Sequence, residues 1–161
     1  LVHQFAARTI KRTYEAIIWG VPDKPTDRIC FPIGRSRANR KKMAVVAEGG
    51  KKAATNYALR EQFGATASLI VCKLESGRTH QIRVQLNHIG HSLIGDPLYG
   101  SSRKISTRDE PNLKFAKEFK RQALHAKSLE FVHPFKQERI RFSVPLPSDM
   151  QTLLEALRRS L

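Results

Sequence analysis

A short segment rich in arginine and histidine is the part of the sequence best suited to chemistry. Residues 77–84 read GRTHQIRV, and a helix is expected to begin near Thr79, with Arg78 and Arg83 in its first turns. Free backbone N–H groups at a helix start, together with two guanidinium groups, would bind an anionic substrate. His80 and Arg83 lie three residues apart and share a polar face, a spacing equally typical of an ordinary exposed helix face.

The helix that must position these groups is visible in its apolar residues. Ile82, Leu86 and Ile89 repeat with the spacing i, i+4 and i+7, and Gly90 follows them. This pattern predicts an amphipathic helix that packs one face on a core and ends near the glycine.

Much of the remaining chain has the composition of β-strands. Stretches rich in β-branched and aromatic residues alternate with short segments that contain glycine or proline. The predicted strands are 11–19, 43–46, 53–62, 67–75, 124–132 and 138–144. Short turns join the third strand to the fourth and the fifth to the sixth, which predicts two hairpins. The segment 22–34 is expected to be loop or short strand.

The other expected elements complete the fold class. Ser148 followed by Gln151 is a capping box, which predicts a final helix. A helical turn is expected at 115–120 and a polar loop at 101–112. Because strands outnumber helices and pair as hairpins, the sequence predicts an α+β fold with a mixed, mostly antiparallel sheet and flanking helices. A chain of 161 residues is long enough for one domain.

The charge balance favours a polyanionic partner. Lysine and arginine number 29 against 14 acidic residues, which gives a net charge of +15. No acidic residue lies between Asp27 and Glu48. The basic residues of that stretch that we expect to contact a nucleic acid are Arg35, Arg37, Arg40 and Lys41. An excess this large is typical of nucleic-acid binding, and the alternative is a generically basic, solvated surface.

Several other function classes find no support in the sequence. No stretch reaches the roughly 18 apolar residues of a membrane-spanning helix, and no secretory signal pattern opens the chain. Cys30 and Cys72 stand far apart among apolar neighbours, which favours free thiols in a reducing compartment. We therefore expect the protein to lie in the cytoplasm or, in a eukaryote, in an organelle. The histidines lack the His-Glu-x-x-His spacing, and no Cys-x-x-Cys occurs, so no metal site is expected.

Two runs of residues resemble motifs of the RluA-type family of RNA pseudouridine synthases. In that family a Gly-Arg-Thr/Ser-His-Gln-Ile/Leu-Arg-Val run precedes a Gly-His-Pro-Leu-x-Gly-Asp-x-x-Tyr-Gly run. Here the runs occupy 77–84 and 90–100, with Ser92 where the family usually has proline. The sequences KRTYEA at 11–16 and RQALHA at 121–126 resemble the neighbouring strands, so the resemblance covers almost the whole chain.

The resemblance implies roles for individual residues. Tyr14 matches the active-site tyrosine that lies near the target base and accepts or relays the proton from C5. Arg83 matches the arginine that pairs with the catalytic aspartate, and either Leu93 or Ile94 matches an apolar residue of the base pocket. The implied reaction converts uridine to pseudouridine in large-subunit ribosomal RNA. It needs no metal or organic cofactor, and we expect the protein to be a monomer.

The catalytic aspartate is where the chain departs from the family pattern. The family carries it in a His-Arg-Leu-Asp segment well upstream of the tyrosine, whereas Leu1 lies only thirteen residues before Tyr14. No aspartate of the chain has that context, and Gly-Asp-Pro at Asp96 is a turn signature. We therefore expect residues 1–161 to be the C-terminal two-thirds of one catalytic domain, with the aspartate upstream. A non-catalytic RNA-binding module and a ribosome-associated protein of the same fold are the alternatives.

Overall fold

The computed structural model describes residues 2–7, 9–100 and 113–159, so the polar loop expected at 101–112 lies outside the described residues. In chain order the helices are α1 (Val2–Ala6), α2 (Gln81–His88), α3 (Leu113–Glu118) and α4 (Ser148–Arg159). The strands are β1 (Lys11–Trp19), β2 (Thr26–Cys30), β3 (Ile33–Arg35), β4 (Met43–Val45), β5 (Ala54–Phe63), β6 (Ala67–Leu74), β7 (Leu124–Val132) and β8 (Arg139–Ser143).

Six of these strands form one sheet in the order β2-β5-β6-β1-β7-β8, and β3 pairs with β4 in a separate ribbon. The two hairpins expected from the sequence are β5–β6 and β7–β8. Every strand pair in the described part of the chain is antiparallel. The α+β fold is therefore confirmed, and the sheet shows none of the expected mixed character in that part.

The alternation of side chains along β1 divides the core into two layers. Ala16 and Ile18 pack on the side that α2 covers, whereas Ile17 and Trp19 pack with α3 and α4 on the other side. All four side chains are buried, as expected for a strand enclosed between β6 and β7. Tyr14, two residues before Ala16, packs against the layer beneath α2.

The helix α2 begins two residues later than the sequence predicts. Its first residue is Gln81 rather than Thr79, and His80 before it adopts a left-handed conformation with φ of 56°. Gln81 Oε1 accepts hydrogen bonds from the Ser76 hydroxyl (2.8 Å) and from the backbone N–H of Arg78 (3.0 Å). These bonds hold the preceding residues in a turn, and the helix starts where the turn ends.

The apolar face of α2 agrees with the sequence pattern. Ile82 and Leu86 are buried in the layer that contains Tyr14, and Ile89 is partly buried against it. Gly90 has a φ of 88°, a value that favours glycine, and it follows Ile89, the C-cap residue of the helix. The orientation of α2 on the sheet is thus set by the stripe predicted from the sequence.

The last helix is present, but its predicted capping box is wrong. The Gln151 side chain donates to the carbonyl of Leu146 (2.5 Å), and Asp149 Oδ1 accepts from the backbone N–H of Met150 (2.8 Å). The helix has an apolar stripe buried in the layer that contains α3, Ile17 and Trp19. That stripe consists of Met150, Leu153, Leu154 and Leu157.

Candidate active site

The two residues expected to carry catalysis lie on the same side of the central sheet. Tyr14 is half-buried in β1, where it faces Cys72 of β6 and Ala126 of β7 in the strand register. A bulge between Thr13 and Tyr14 interrupts the pairing with β7. Arg83 is the third residue of α2, the helix that covers this side of the sheet.

The guanidinium of Arg83 forms a two-pronged ion pair with Asp96. Arg83 Nε lies 2.8 Å from Asp96 Oδ2, and Nη2 lies 2.8 Å from Oδ1. The Arg83 side chain is 12% exposed and the Asp96 side chain 1% exposed, so the pair is nearly removed from water. Asp96 Oδ1 also accepts from the backbone N–H groups of Leu98 and Tyr99, each at 2.9 Å. The Asp96 carboxylate is therefore fully engaged in closing a turn.

The pKa values of the two groups reflect this pairing. Burial alone would raise the pKa of Asp96, but hydrogen bonds from Arg83 and from the two backbone N–H groups outweigh it and lower the pKa below its ordinary value. The hydrogen bonds to Asp96 raise the pKa of Arg83, which stays charged. A second carboxylate would have to approach Arg83 at the edge formed by Nη1 and the second N–H of Nη2, because Nε and the first N–H of Nη2 are bound to Asp96.

Tyr99 connects Arg83 to the β3–β4 ribbon, and sequence reasoning missed this residue. The Arg83 Cζ lies 4.9 Å from the centre of the Tyr99 ring. The Tyr99 hydroxyl accepts from the backbone N–H of Met43 at 2.9 Å and lies 2.8 Å from His80 Nδ1. The only signal in the sequence is the position of Tyr99 within the 90–100 run.

The surroundings of His80 favour its neutral form. Burial lowers the pKa of His80, the charge of Arg83 lowers it further, and Asp96 opposes both effects. In a neutral ring Nδ1 can accept the Tyr99 O–H, while the Tyr99 oxygen accepts from Met43. The expected substrate-binding residue His80 is thus engaged with a tyrosine in this structure.

Arg78 and Arg83 do not share the anion site expected from the sequence. Arg83 is neutralised by Asp96, whereas Arg78 Nε donates to the carbonyl of Lys52 at 3.1 Å. Arg78 lines a different cavity, next to Arg12 of β1. The structure thus gives the two guanidinium groups different partners at the start of α2.

The two candidates for an apolar pocket residue lie on opposite faces of the sheet. Leu93 is 1% exposed, pairs with Ile18 through a β-bridge and packs in the layer that contains Tyr14. Ile94 is 0% exposed and packs with α3 and α4, and its backbone bonds to Ile17 and Ala123 fix it there. Of the two alternatives for the base pocket, Leu93 therefore lies in the layer of Tyr14 and Ile94 lies in the other layer.

The expected nucleic-acid contacts lie together on the β3–β4 ribbon. Arg35 ends β3, and Arg37, Arg40 and Lys41 follow in the loop that leads to β4. All four are exposed, and Arg35 Nη1 donates to the carbonyl of Arg40 at 3.0 Å. Residues of β4 and α2 both line a cavity of about 310 Å³. The ribbon thus presents a basic edge beside the helix that carries Arg83.

The described residues offer no group of three or more histidine, cysteine or acidic side chains that could hold a metal ion. Cys30 is exposed and Cys72 is buried, both as free thiols, and burial raises the pKa of Cys72 to about 12. Of the helices in the described part of the chain, none has the length and apolar character needed to cross a bilayer.

Solved structures of related fold include two human proteins. The chain superimposes on human RNA pseudouridylate synthase domain containing 4 with a TM-score of 0.76 at 23% identity, covering 98% of this chain and 66% of the other. The corresponding values for human RNA pseudouridylate synthase domain containing 1 are 0.70, 25%, 98% and 69%. These likenesses support the fold assignment.

Curated sequences give a closer match. Ribosomal large subunit pseudouridine synthase D from Zymomonas mobilis subsp. mobilis is 45% identical over 158 residues, covering 98% of this chain and 48% of that protein. The protein of the same name from Pseudomonas aeruginosa is 46% identical over 160 residues, covering 99% and 49%. The chain thus spans about half the length of these relatives. Residues 1–88 match the family described as RNA pseudouridylate synthase, which is more than half of the 161 residues. The chain therefore belongs to the RNA pseudouridylate synthase family.

Proposed function

We propose that this chain is the part of a pseudouridine synthase catalytic domain that supplies the tyrosine and the arginine of the active site. The whole protein would convert uridine to pseudouridine in large-subunit ribosomal RNA, as the names of the similar bacterial proteins indicate for those relatives. The observation that carries the proposal is the fixed guanidinium of Arg83, which lies on the side of the sheet where Tyr14 is half-buried.

The reaction rearranges bonds without any net oxidation. The N1–C1′ bond of uridine breaks, the uracil turns, a C5–C1′ bond forms, and the proton of C5 is lost as N1 gains one. A carboxylate nucleophile must stay ionised in a pocket poor in water, and an adjacent guanidinium favours the charged form. In this proposal Arg83 has that role, and Tyr14 accepts or relays the C5 proton.

The nucleophile is proposed to come from a segment upstream of Leu1. Among the described aspartates, Asp96 is engaged with Arg83, and Asp149 forms an exposed pair with Arg121. Asp27 in β2 is exposed and binds Lys24, and Asp23 is exposed in the segment before β2. None of these carboxylates reaches Arg83 as an additional partner, and Asp109 lies outside the described residues.

Comparing the chain with the complete gene product tests both parts of this proposal. Each protein is incubated with large-subunit ribosomal RNA that lacks pseudouridine, and the product is mapped by carbodiimide labelling. We expect turnover by the complete protein and none by residues 1–161 alone. Turnover by residues 1–161 would overturn the upstream nucleophile and return Asp96 to consideration. An inactive complete protein that still binds RNA would overturn the isomerase and favour a binding module.

The proposal extends to assembly and location. We propose that the protein acts on RNA as a monomer in the cytoplasm, with the exposed cations of the β3–β4 ribbon holding the substrate. Light scattering of the complete protein, alone and with RNA, tests this arrangement. A dimer in solution would contradict it.

A further inference from the structure

Arg12 and Arg78 line a cavity that has no part in the proposed catalytic step. A cavity of about 270 Å³ opens between α1 and the turn that precedes α2. Its lining residues are Phe5, Ala6, Arg12, Ser76, Gly77 and Arg78. Two of these side chains are cationic, and none of the six is acidic.

One nitrogen of the Arg12 side chain lacks a hydrogen-bond partner among the described residues. Its Nε atom is buried and makes no hydrogen bond to any residue that the structure describes. The guanidinium instead lies 5.8 Å from the centre of the Phe5 ring. A buried N–H group without a partner is uncommon in folded proteins and is a reason to look for a ligand.

Hydrogen bonds hold the turn at Ser76 to Arg78, which faces Arg12 across the cavity. Gln81 Oε1 binds Ser76 Oγ and the backbone N–H of Arg78, and Ser76 Oγ accepts from the backbone N–H of Ala54 at 3.0 Å. Arg78 Nε is fixed to a backbone carbonyl, so its terminal nitrogens remain to meet a ligand. A Cβ added at Gly77 would lie 2.5 Å from Arg12 Nη1, so the glycine is what allows the guanidinium to pack against the turn.

We infer that this cavity binds one backbone phosphate of the RNA substrate, next to the target uridine. The inference rests on the proposed RNA substrate. A phosphodiester carries one negative charge and acceptor oxygens that suit two converging guanidinium groups. Arg12 lies two residues before Tyr14 in β1, which corresponds to about 7 Å along a strand, a distance on the scale of one nucleotide. The site would therefore fix the backbone beside the base that Tyr14 meets.

The test pairs protein variants with neutral phosphate replacements. The probe is a single-stranded RNA of about nine nucleotides with one central uridine, carrying an uncharged methylphosphonate at each linkage in turn. Dissociation constants are measured for the complete protein and for three variants, Arg12→Gln, Gly77→Ala and Lys136→Gln. The Gly77→Ala variant keeps the net charge but displaces the Arg12 guanidinium. Lys136 is exposed between β7 and β8, so it reports the loss of a charge elsewhere.

We expect Arg12→Gln and Gly77→Ala each to weaken binding of the unmodified RNA about tenfold, and Lys136→Gln to change it about twofold or less. At one linkage beside the uridine, the methylphosphonate should weaken binding by the unaltered protein about tenfold and add nothing to either of the two variants. If the effects of variant and methylphosphonate multiply at every linkage, the cavity is not a phosphate site. That result leaves turnover by the complete protein intact, so it is distinguishable from failure of the proposed isomerase.

Discussion

The buried pair of Arg83 and Asp96 makes a prediction about stability that can be worked out in magnitude. Replacing Asp96 with asparagine keeps the size of the side chain but removes the charge to which Arg83 and two backbone N–H groups are directed. Removing one partner of a buried pair typically costs about 3–5 kcal/mol. The asparagine oxygen can still accept hydrogen bonds, and Arg83 is 12% exposed, so we expect the free energy of unfolding to fall by about 2–3 kcal/mol.

The pH dependence of this effect has a definite sign. The pKa of Asp96 is lowered in the folded protein, so the unfolded chain takes up the proton first as the pH falls. The stabilisation by Asp96 is therefore complete above the unfolded value of 3.8 and is lost as the pH falls through the folded value. The Asp96→Asn variant lacks this titration. Its difference from the unaltered protein should be constant from about pH 5 to pH 8 and shrink below about pH 4.

Urea unfolding followed by circular dichroism, from neutral to acid pH, measures both effects. Asp149→Asn is the matched control, because Asp149 forms the same two-pronged contact with Arg121 but the side chains are 45% and 41% exposed. Asparagine also preserves its bond to the backbone N–H of Met150. An exposed pair contributes about 0–1 kcal/mol, so the control should cost little. Equal losses for the two variants would refute the reasoning from burial.

Three further predictions concern function and local structure. In the complete protein Arg83→Lys should slow single turnover about a hundredfold with little change in the RNA dissociation constant, because an ammonium group cannot reproduce the two-pronged contact of a guanidinium. Arg37→Ala should mainly weaken RNA binding. Equal effects of Arg83→Lys on the rate and on the dissociation constant would make Arg83 a phosphate ligand. Tyr99→Phe removes the acceptor for the backbone N–H of Met43, so urea unfolding should show a free energy of unfolding lower by about 1–3 kcal/mol. Because the Tyr99 hydroxyl also contacts His80, an NMR titration of His80 shows whether the environment of that ring changes too. If about five phosphates are contacted, the logarithm of the RNA binding constant should fall with that of salt concentration at a slope of about −3.5 to −4.5, and a flat dependence would mean that the basic ribbon is only solvated surface.

The strands and the amphipathic helix could be predicted because local pattern and tertiary environment agree. The run 11–19 contains β-formers on both faces, and β1 covers the same residues in the structure. Hairpins depend on neighbouring segments and short turns, so β5–β6 and β7–β8 were also foreseeable. The segment 22–34 was ambiguous because its prolines obscure β2 and β3, which are short and lie at a sheet edge or in the small ribbon.

The candidate site was less predictable because its geometry depends on side-chain partners far apart in sequence. The start of α2 is set by Gln81, whose side chain binds residues before the helix, and this moved Arg78 away from Arg83. The partner of Arg83 lies thirteen residues further along, and that of the Tyr99 hydroxyl lies on another strand pair. A periodicity argument contains no information about such contacts, and it also could not decide between Leu93 and Ile94.

Backbone packing explains why Arg83 is held so firmly. Gly95 has a φ of 69°, and a Cβ there would collide with the backbone carbonyls of Phe119 and Arg121. Glycine alone allows this close approach, which joins the segment before β7 to the turn and sets Asp96 beneath α2. Asp96 then fixes the plane of the Arg83 guanidinium, whose remaining end is the only one that an incoming carboxylate could meet. The orientation of the proposed catalytic arginine is thus prepared before substrate binds, which is how a site lowers the cost of reaching its reactive geometry.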